Sequence, residues 1–479
     1  MKTNSLDFDA QALREKILDL AMRGKLIKQD PNDEPASVLL EKIKAEKAKL
    51  VKEKKIKKSK PLPEITDDEK PFDIPDSWEW VHVKDVTTIG NFHSVSPQNI
   101  NQGENLIELA DIESNTGRLL NFEKVTSEVG SNKYQYNQGD VLFAKLRPYL
   151  RKVLIAPNDG ICTTELLPIN GIQTSNIYIY YTFLSSLIFE QIRQEMHGVN
   201  LPRISPKKLA ELIIPLPPLS EQSRIAAKIA QLFALLRKVE TSTQQYTKLQ
   251  TLLKSKVLDL AMRGKLVKQD PNDEPASVLL EKIKAEKEQL IKEKKMKKSK
   301  PLPPIADDEK PFEIPDSWEW VRLGEVNTYI GKNIHPEKTP EQLFELYSVP
   351  IYETNSPEIT SGKEIKSNKQ TVIPDDILLC KINPRINRVW RVGNYTNYKN
   401  IASTEWIVVR QSQLLPDYLR YVLMSPYFRK LLQSNVSGVG GSLTRAKPVL
   451  VKKYVIPIPP LSEQSRISLK IAHLFTLLK

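Results

Sequence analysis

The strongest constraint on how this chain folds is a repeat that is whole in the middle and halved at the ends. Pro217-Pro218-Leu219-Ser220-Glu221-Gln222-Ser223-Arg224-Ile225 returns as Pro459-Pro460-Leu461-Ser462-Glu463-Gln464-Ser465-Arg466-Ile467, 242 residues later. Residues 258–321 occur earlier as 18–81, at an offset of 240, with substitutions only at positions 27, 48, 49, 51, 56, 64, 66 and 73. The stretch 219–300 therefore holds both halves of a frame of which each terminus holds one.

Within that stretch Ile225, Ile229, Leu232, Leu236, Val239, Tyr246, Leu253, Val257 and Leu260 follow a 4-3 alternation, with polar residues only at the Thr243 and Gln250 slots. This is a coiled-coil pattern, and such a helix is a rod of roughly 50 Å. The C-terminus starts the same rod with Ile467, Ile471, Leu474 and Leu478, and the N-terminus finishes it with Leu6, Ala10, Leu13, Ile17 and Leu20. If the ends meet, two similar rods pack on each other with two different inserts between them, a pseudo-twofold closed object. A lone heptad helix is marginal in water, so each seam needs the other.

A chain of 479 residues is long for one core, which agrees with two globular units and connecting helices. Lys and Arg number 71 against 58 acidic residues, a net charge of +13 that suits a polyanionic partner. Cys162 and Cys380 are too few for a disulfide framework or a cysteine zinc site, so a reducing cytoplasm is expected. No apolar run approaches a membrane span, and residues 1–30 lack a signal-peptide core.

In chain order the pattern predicts a helix from about 5 to 26, closed at Gly24, a turn over 30–33, and a second helix with Pro35 in its first turn running through Val38, Leu39, Ile43, Leu50 and Ile56. Its lysine-rich end (Lys52, Lys54, Lys55, Lys57, Lys58, Lys60), where Glu53 can pair with Lys57, is a solvated face or a phosphate contact. Proline-rich linkers at 61–75 and 301–315 lead to Trp78 and Trp80, and to Trp318 and Trp320, core residues opening a strand. The first insert is expected to contain strands 141–146, 152–155 and 162–169 and a helix 175–196; the second, strands 377–382, 388–392 and 401–409 and a helix 417–432. The domains are then 1–60, 61–215, 216–300, 301–457 and 458–479.

Two basic loops stand out. Lys145-Leu146-Arg147-Pro148-Tyr149-Leu150-Arg151-Lys152 in the first insert corresponds to Lys381-Ile382-Asn383-Pro384-Arg385-Ile386-Asn387-Arg388 in the second. Arg donates two bonds to guanine and Asn both donates to and accepts from adenine, so such a rim can read base edges; the alternative is contact with phosphate or solvent alone. A second candidate lies before the last helix of each insert, with Asn200 and Arg203 in one and Ser442, Arg445 and Lys447 in the other. Glu165 and Glu405 align and read best as structural ion-pair partners. The histidines lack metal-ligand spacing, no cofactor loop or methyltransferase tetrapeptide is present, and Asp375-Asp376 with Lys381 matches a nuclease incompletely.

The paired Pro-Pro-Leu-Ser-Glu-Gln segments, and the Asp-Val-Leu and Asp-Ile-Leu strands followed by 145–152 and 381–388, resemble the specificity (S) subunit of type I restriction-modification enzymes over essentially the whole chain. The resemblance implies an α+β fold: two mixed α/β target-recognition domains linked by two long conserved helical regions in an antiparallel coiled coil, with pseudo-twofold, circular organisation. It implies that each insert reads one half of a bipartite, asymmetric site in double-stranded DNA while the helices set the gap. It also implies partners: two modification subunits carrying S-adenosylmethionine, and two restriction subunits using ATP and Mg. This chain would hold no cofactor, metal or catalytic residue. Replacing 78–214 should then alter one half-site, and lengthening 225–260 only the gap. Two other readings are a coiled-coil scaffold whose inserts bind protein or RNA, and a self-contained DNA-modifying enzyme.

Overall fold

The computed structural model describes residues 9–58, 60–195, 202–298, 300–434, 436–437 and 444–478. It divides into two compact units, Met1–Thr243 and Gln244–Lys479, and the division falls inside one continuous helix, Leu219–Met262. At 44 residues this central helix is about 66 Å long. It exceeds the length of the heptad stretch because Leu219 to Arg224 already form its first turns.

In the first unit the N-terminal helix Ala10–Met22 is capped by Asp9, which accepts from the Ala12 N–H at 2.9 Å. It runs antiparallel to the first half of the central helix. Arg14 meets Glu240 at 2.5 and 3.0 Å, and past the helix Asp33 accepts from Ser220 at 2.6 Å and from Arg224 at 2.5 and 3.1 Å. Gly24 turns the chain at φ +66°, and a Cβ there would stand 2.4 Å from the Pro75 ring. In the second unit the C-terminal helix Leu461–Leu477 runs antiparallel to the other half: Lys254 lies over the Phe475 ring, and Asp273 accepts from Ser462 and Arg466, each at 2.5 Å. Each unit thus builds its frame from one copy of each half-repeat.

The heptad stripe is fully buried at its start and exposed over its middle, even beside Glu240 and Lys254, which the end helices contact. Ile225 and Ile229 are fully buried, whereas Val239, Tyr246 and Leu253 are 42, 53 and 47% exposed. Leu6 of the expected N-terminal stripe lies outside the described residues. The second helix, Ala36–Lys52, has Pro35 as its N-cap and stops before Ile56. Lys54 follows with φ +57°, so Glu53 meets Lys55 at 2.8 Å and the expected pairing with Lys57 does not form.

The Arg224 guanidinium holds the Asp33 carboxyl below its ordinary value. A depressed folded-state pKa gives stability that is present above the unfolded value of 3.8 and lost as pH falls through the folded one. Asp33→Asn should therefore lower the denaturation midpoint at neutral pH and flatten its decline below about pH 4 relative to the parent, a comparison that urea titrations across pH would make.

Each insert enters and leaves the frame on neighbouring strands. Glu79–His82 pairs antiparallel with Ile213–Leu216, and Glu319–Arg322 with Val455–Ile458. Trp78 and Trp318 precede these ribbons, 3% exposed, and their indole N–H groups donate at 2.9 Å to Glu221 and Glu463 of the repeated Ser-Glu-Gln segments. Burial pushes both carboxyls up.

Inside the first insert Val141–Ala144 lies between Val153–Ile155 and Leu166–Ile169 in an antiparallel sheet. A second, mixed sheet has the order Ser94–Val95, Lys133–Tyr136, Gly160–Thr163, Asn105–Ile107 and Glu123–Lys124. The second insert repeats both orders. The expected strands 162–169 and 401–409 are therefore each two strands, Gly160–Thr163 and Leu166–Ile169, and Lys399–Ser403 and Trp406–Val409, because the chain turns at Glu165 and Glu405 to serve two sheets. The expected helices also divide, into Asn176–Leu184 and Ser186–Glu195, and into Pro416–Met424 and Pro426–Ser434. Buried Ser185 and Ser425 break them by donating back to Thr182 and Val422, both at 2.6 Å. Among the described residues no helix is long and apolar enough to cross a membrane.

Candidate nucleic-acid interface

The two candidate segments of each insert, far apart in sequence, form one site. In the first unit Leu146 bridges Arg203: the Arg147 N–H donates to the Pro202 carbonyl at 2.8 Å and the Ile204 N–H to Lys145 at 3.0 Å. In the second unit Ile382 bridges Arg445, with Asn383 donating to Thr444 and Ala446 to Lys381, both at 2.9 Å. The turn that splits the long strand joins as well, since Lys145 donates to the Glu165 carbonyl and Lys381 to Glu405. Arg203 Nε lies 3.4 Å from the Glu165 carboxylate and Arg445 Nη2 3.1 Å from that of Glu405, which gives the glutamates the ion-pair role expected of them, with partners the sequence did not name.

Backbone geometry is shared while side chains differ. Arg147 and Arg151 adopt φ +49° and +45°, and Asn383 and Asn387 adopt +50° and +54°. Asn tolerates this left-handed region, but a longer side chain there costs roughly 1–2 kcal/mol. Arg151 offsets the strain through Glu15 at 3.1 Å and by stacking 4.7 Å from the centre of the Phe189 ring. Arg147 is exposed and has no side-chain partner among the described residues.

The rim separates into outward and inward members. Arg147, Tyr149 and Arg203 are exposed in the first unit, and Arg385, Arg445 and Lys447 in the second. Arg151 is held by the N-terminal helix, Lys152 donates to the Leu109 carbonyl at 2.6 Å, Asn387 donates to Leu423 at 3.0 Å, and Arg388 lies 4.0 Å from Glu353. Lys145, Lys381 and Asn383 are half-buried at the base. Asn200 and Ser442 lie outside the described residues. Sequence reasoning missed Arg429, exposed on the helix Pro426–Ser434, whose guanidinium donates to the Arg385 carbonyl and adds a cation to this rim; the only signal was an arginine three residues into a helix after a proline.

Asp375 and Asp376 are committed to other work. Asp375 accepts from Arg391 at 2.7 Å, and Asp376, 1% exposed, accepts from Arg410 at 2.6 and 2.7 Å. Burial raises the Asp376 carboxyl and Arg410 opposes that shift. Among the described residues no group of three or more His, Cys, Asp or Glu side chains could hold a metal ion.

Two stretches, 75–249 and 315–477, match the family profile described as the type I restriction modification DNA specificity domain. The type I restriction enzyme EcoAI specificity subunit of Escherichia coli is 39% identical over 376 residues, covering 68% of this chain and 63% of that protein. The EcoEI specificity subunit of the same species is 37% identical over 385 residues, covering 70% and 64%. The matched part thus spans a little under two thirds of the length of these relatives. A chain solved in a study of complex assembly and conformational transition of the type I R-M system shares the fold, with a TM-score of 0.57, 20% identity, and coverage of 85% of this chain and 92% of that one. With the matched stretches covering most of both units, this chain belongs to the type I restriction-modification DNA specificity family.

Proposed function

We propose that this chain is the DNA-recognition subunit of a type I restriction-modification complex and carries no catalytic residue. Residues 61–215 and 301–457 are its two readers, each taking one half of a bipartite, asymmetric duplex site, and 1–60, 216–300 and 458–479 form the frame. The central helix sets the gap between half-sites and docks two modification subunits, which bring S-adenosylmethionine. Two restriction subunits add ATP- and Mg-dependent steps, and the complex works in the cytoplasm.

The observation that carries this reading is one backbone motif presenting a different exposed set of polar and cationic side chains in each unit: Arg147 and Tyr149 beside Arg203 in one, Arg385 and Lys447 beside Arg445 in the other. Direct readout requires such variation on a fixed scaffold, because phosphate contacts orient a protein and base-edge contacts discriminate. Arg147→Ala and Arg385→Ala, each in the assembled methyltransferase, should weaken binding to the cognate duplex about tenfold or more, each relaxing discrimination in a different half-site. Fluorescence anisotropy with duplexes altered in one half at a time would measure this. Equal loss on every duplex, with a shallower salt dependence, would reduce these arginines to phosphate contacts; unchanged affinity for both variants would remove the loops from the interface.

A further inference from the structure

In the second unit Arg322 ends the ribbon strand with its side chain 2% exposed and its guanidinium fully used. Nε donates to the Pro303 carbonyl at 2.6 Å, Nη1 to the Lys453 carbonyl at 2.7 Å, Nη2 to the Pro304 carbonyl at 2.8 Å, and the two Nη groups grip Glu309 at 3.0 and 2.8 Å. The first unit has the same socket, with Pro63, Glu64, Glu69 and Glu211 at the places of Pro303, Pro304, Glu309 and Lys453. Its own occupant is His82. The imidazole nitrogens lie 2.8 Å from the Glu211 carbonyl and 3.2 Å from the Pro63 carbonyl, leaving the Glu64 carbonyl and the Glu69 carboxylate untouched by it.

The space that Arg322 fills is open in the first unit. A cavity of about 870 Å³ lies there, against about 500 Å³ at the matching place in the second, where Tyr427 replaces Leu187. The charge of the walls is inverted as well: Glu190 and Glu211 stand where the second unit has Lys430 and Lys453. Asp19, Glu64, Asp68 and Glu69 line the same cavity together with Arg23 and Lys208, which pair with Asp19 at 2.7 Å and with Glu211 at 3.4 Å, so the recess keeps an excess of carboxylates in a chain of net charge +13. Among the described residues no cation is recorded on Glu69, whose Oε2 accepts from Thr66.

We propose that this recess binds a guanidinium group from outside the chain, seated beside His82 on the Glu69 carboxylate and the Glu64 carbonyl, as Arg322 seats its two Nη groups on Glu309 and the Pro304 carbonyl. Glu69 is anchored as Glu309 is, its Oε2 accepting from the N–H of Thr66 as that of Glu309 accepts from Ala306. A carboxylate so placed takes both Nη groups of Arg322, a match to the fixed fork of a guanidinium and not to the point charge of an ammonium. Its volume leaves room for the rest of an arginine. The inference stands on the likeness of the two units and does not depend on the DNA reading.

The test uses the full-length chain with methylguanidinium as probe, followed by saturation-transfer NMR and calorimetry. Saturable binding is expected, with methylammonium at least tenfold weaker. His82→Arg should abolish it, because the new side chain fills the socket from within; Pro63 and Glu69 match Pro303 and Glu309 of the unit that already folds around an arginine at this place. Glu69→Gln should weaken binding about tenfold by removing the charge-assisted bonds. N-acetyl-arginine amide and free arginine separate the two sources: tighter binding of the blocked form assigns the site to a side chain on a protein partner, since acidic walls repel a free α-carboxylate, and tighter binding of the free form assigns it to a small molecule. Absence of saturable binding, or binding unchanged by His82→Arg, would overturn the proposal.

Discussion

Exchanging residues 83–212 for the corresponding part of another family member should change one half of the recognised DNA site and leave the other half and the gap as they were. The joints lie at the end of the ribbon of Glu79–His82 and Ile213–Leu216, whose pairing brings the entry and exit of the insert side by side. Trp78 stays with the frame, because its indole is bonded to Glu221 of the central helix; a joint at 78 would strand that buried carboxylate. With about 1–3 kcal/mol lost per mismatched base pair, three altered pairs are worth roughly a thousandfold in preference. Methylome sequencing of cells carrying the parent or the hybrid, each with the same modification subunits, would show it. A hybrid that alters both halves would end the modular reading, and one that methylates nothing while folding normally would count against the ribbon as a neutral joint.

Arg322→Ala should destabilise the second unit by about 3 kcal/mol and leave the first unchanged. Removal of the guanidinium strips the Pro303, Pro304 and Lys453 carbonyls of their donor and leaves Glu309 facing a vacated socket. Arg322 also holds the Glu309 carboxyl down at about 2, so the deficit should be present at neutral pH and shrink as pH falls from about 4 toward 2, where Glu309 takes up its proton in the parent. Arg322→His should be milder, since His82 reaches two of the equivalent carbonyls in the first unit. Hydrogen exchange read on Glu319–Arg322 and Val455–Ile458 against Glu79–His82 and Ile213–Leu216 would separate the units. Equal loss of protection in both would show that Arg322 serves more than its own socket.

Much of this architecture was legible in the residues. Offsets of 240 and 242 announced a frame built twice, and the spacing of Ile225, Ile229 and their successors announced a long helix. The first strand of each basic loop, the left-handed Gly24 and an ion-pair role for Glu165 and Glu405 also followed from local pattern, whereas their partners Arg203 and Arg445 came from the fold. Strand and helix breaks did not. Glu165 and Glu405 sit in runs of β-forming residues and interrupt them only because two sheets compete for the chain, and the serine breaks depend on hydroxyls that had the option of facing solvent.

Periodicity and repetition are properties of neighbours along the chain, so the sequence alone determined the duplicated frame, the long helix and the family. Which cations face outward was decided only by tertiary structure. Arg147 and Arg151 share a loop and a backbone conformation, yet one is exposed and the other is bound to Glu15 and Phe189 from distant helices. The same holds for His82 and Arg322, equivalent in the repeat, where the fold leaves one socket open and fills the other. Burial and partnership are set by groups brought together from far along the chain, and no local pattern encodes them.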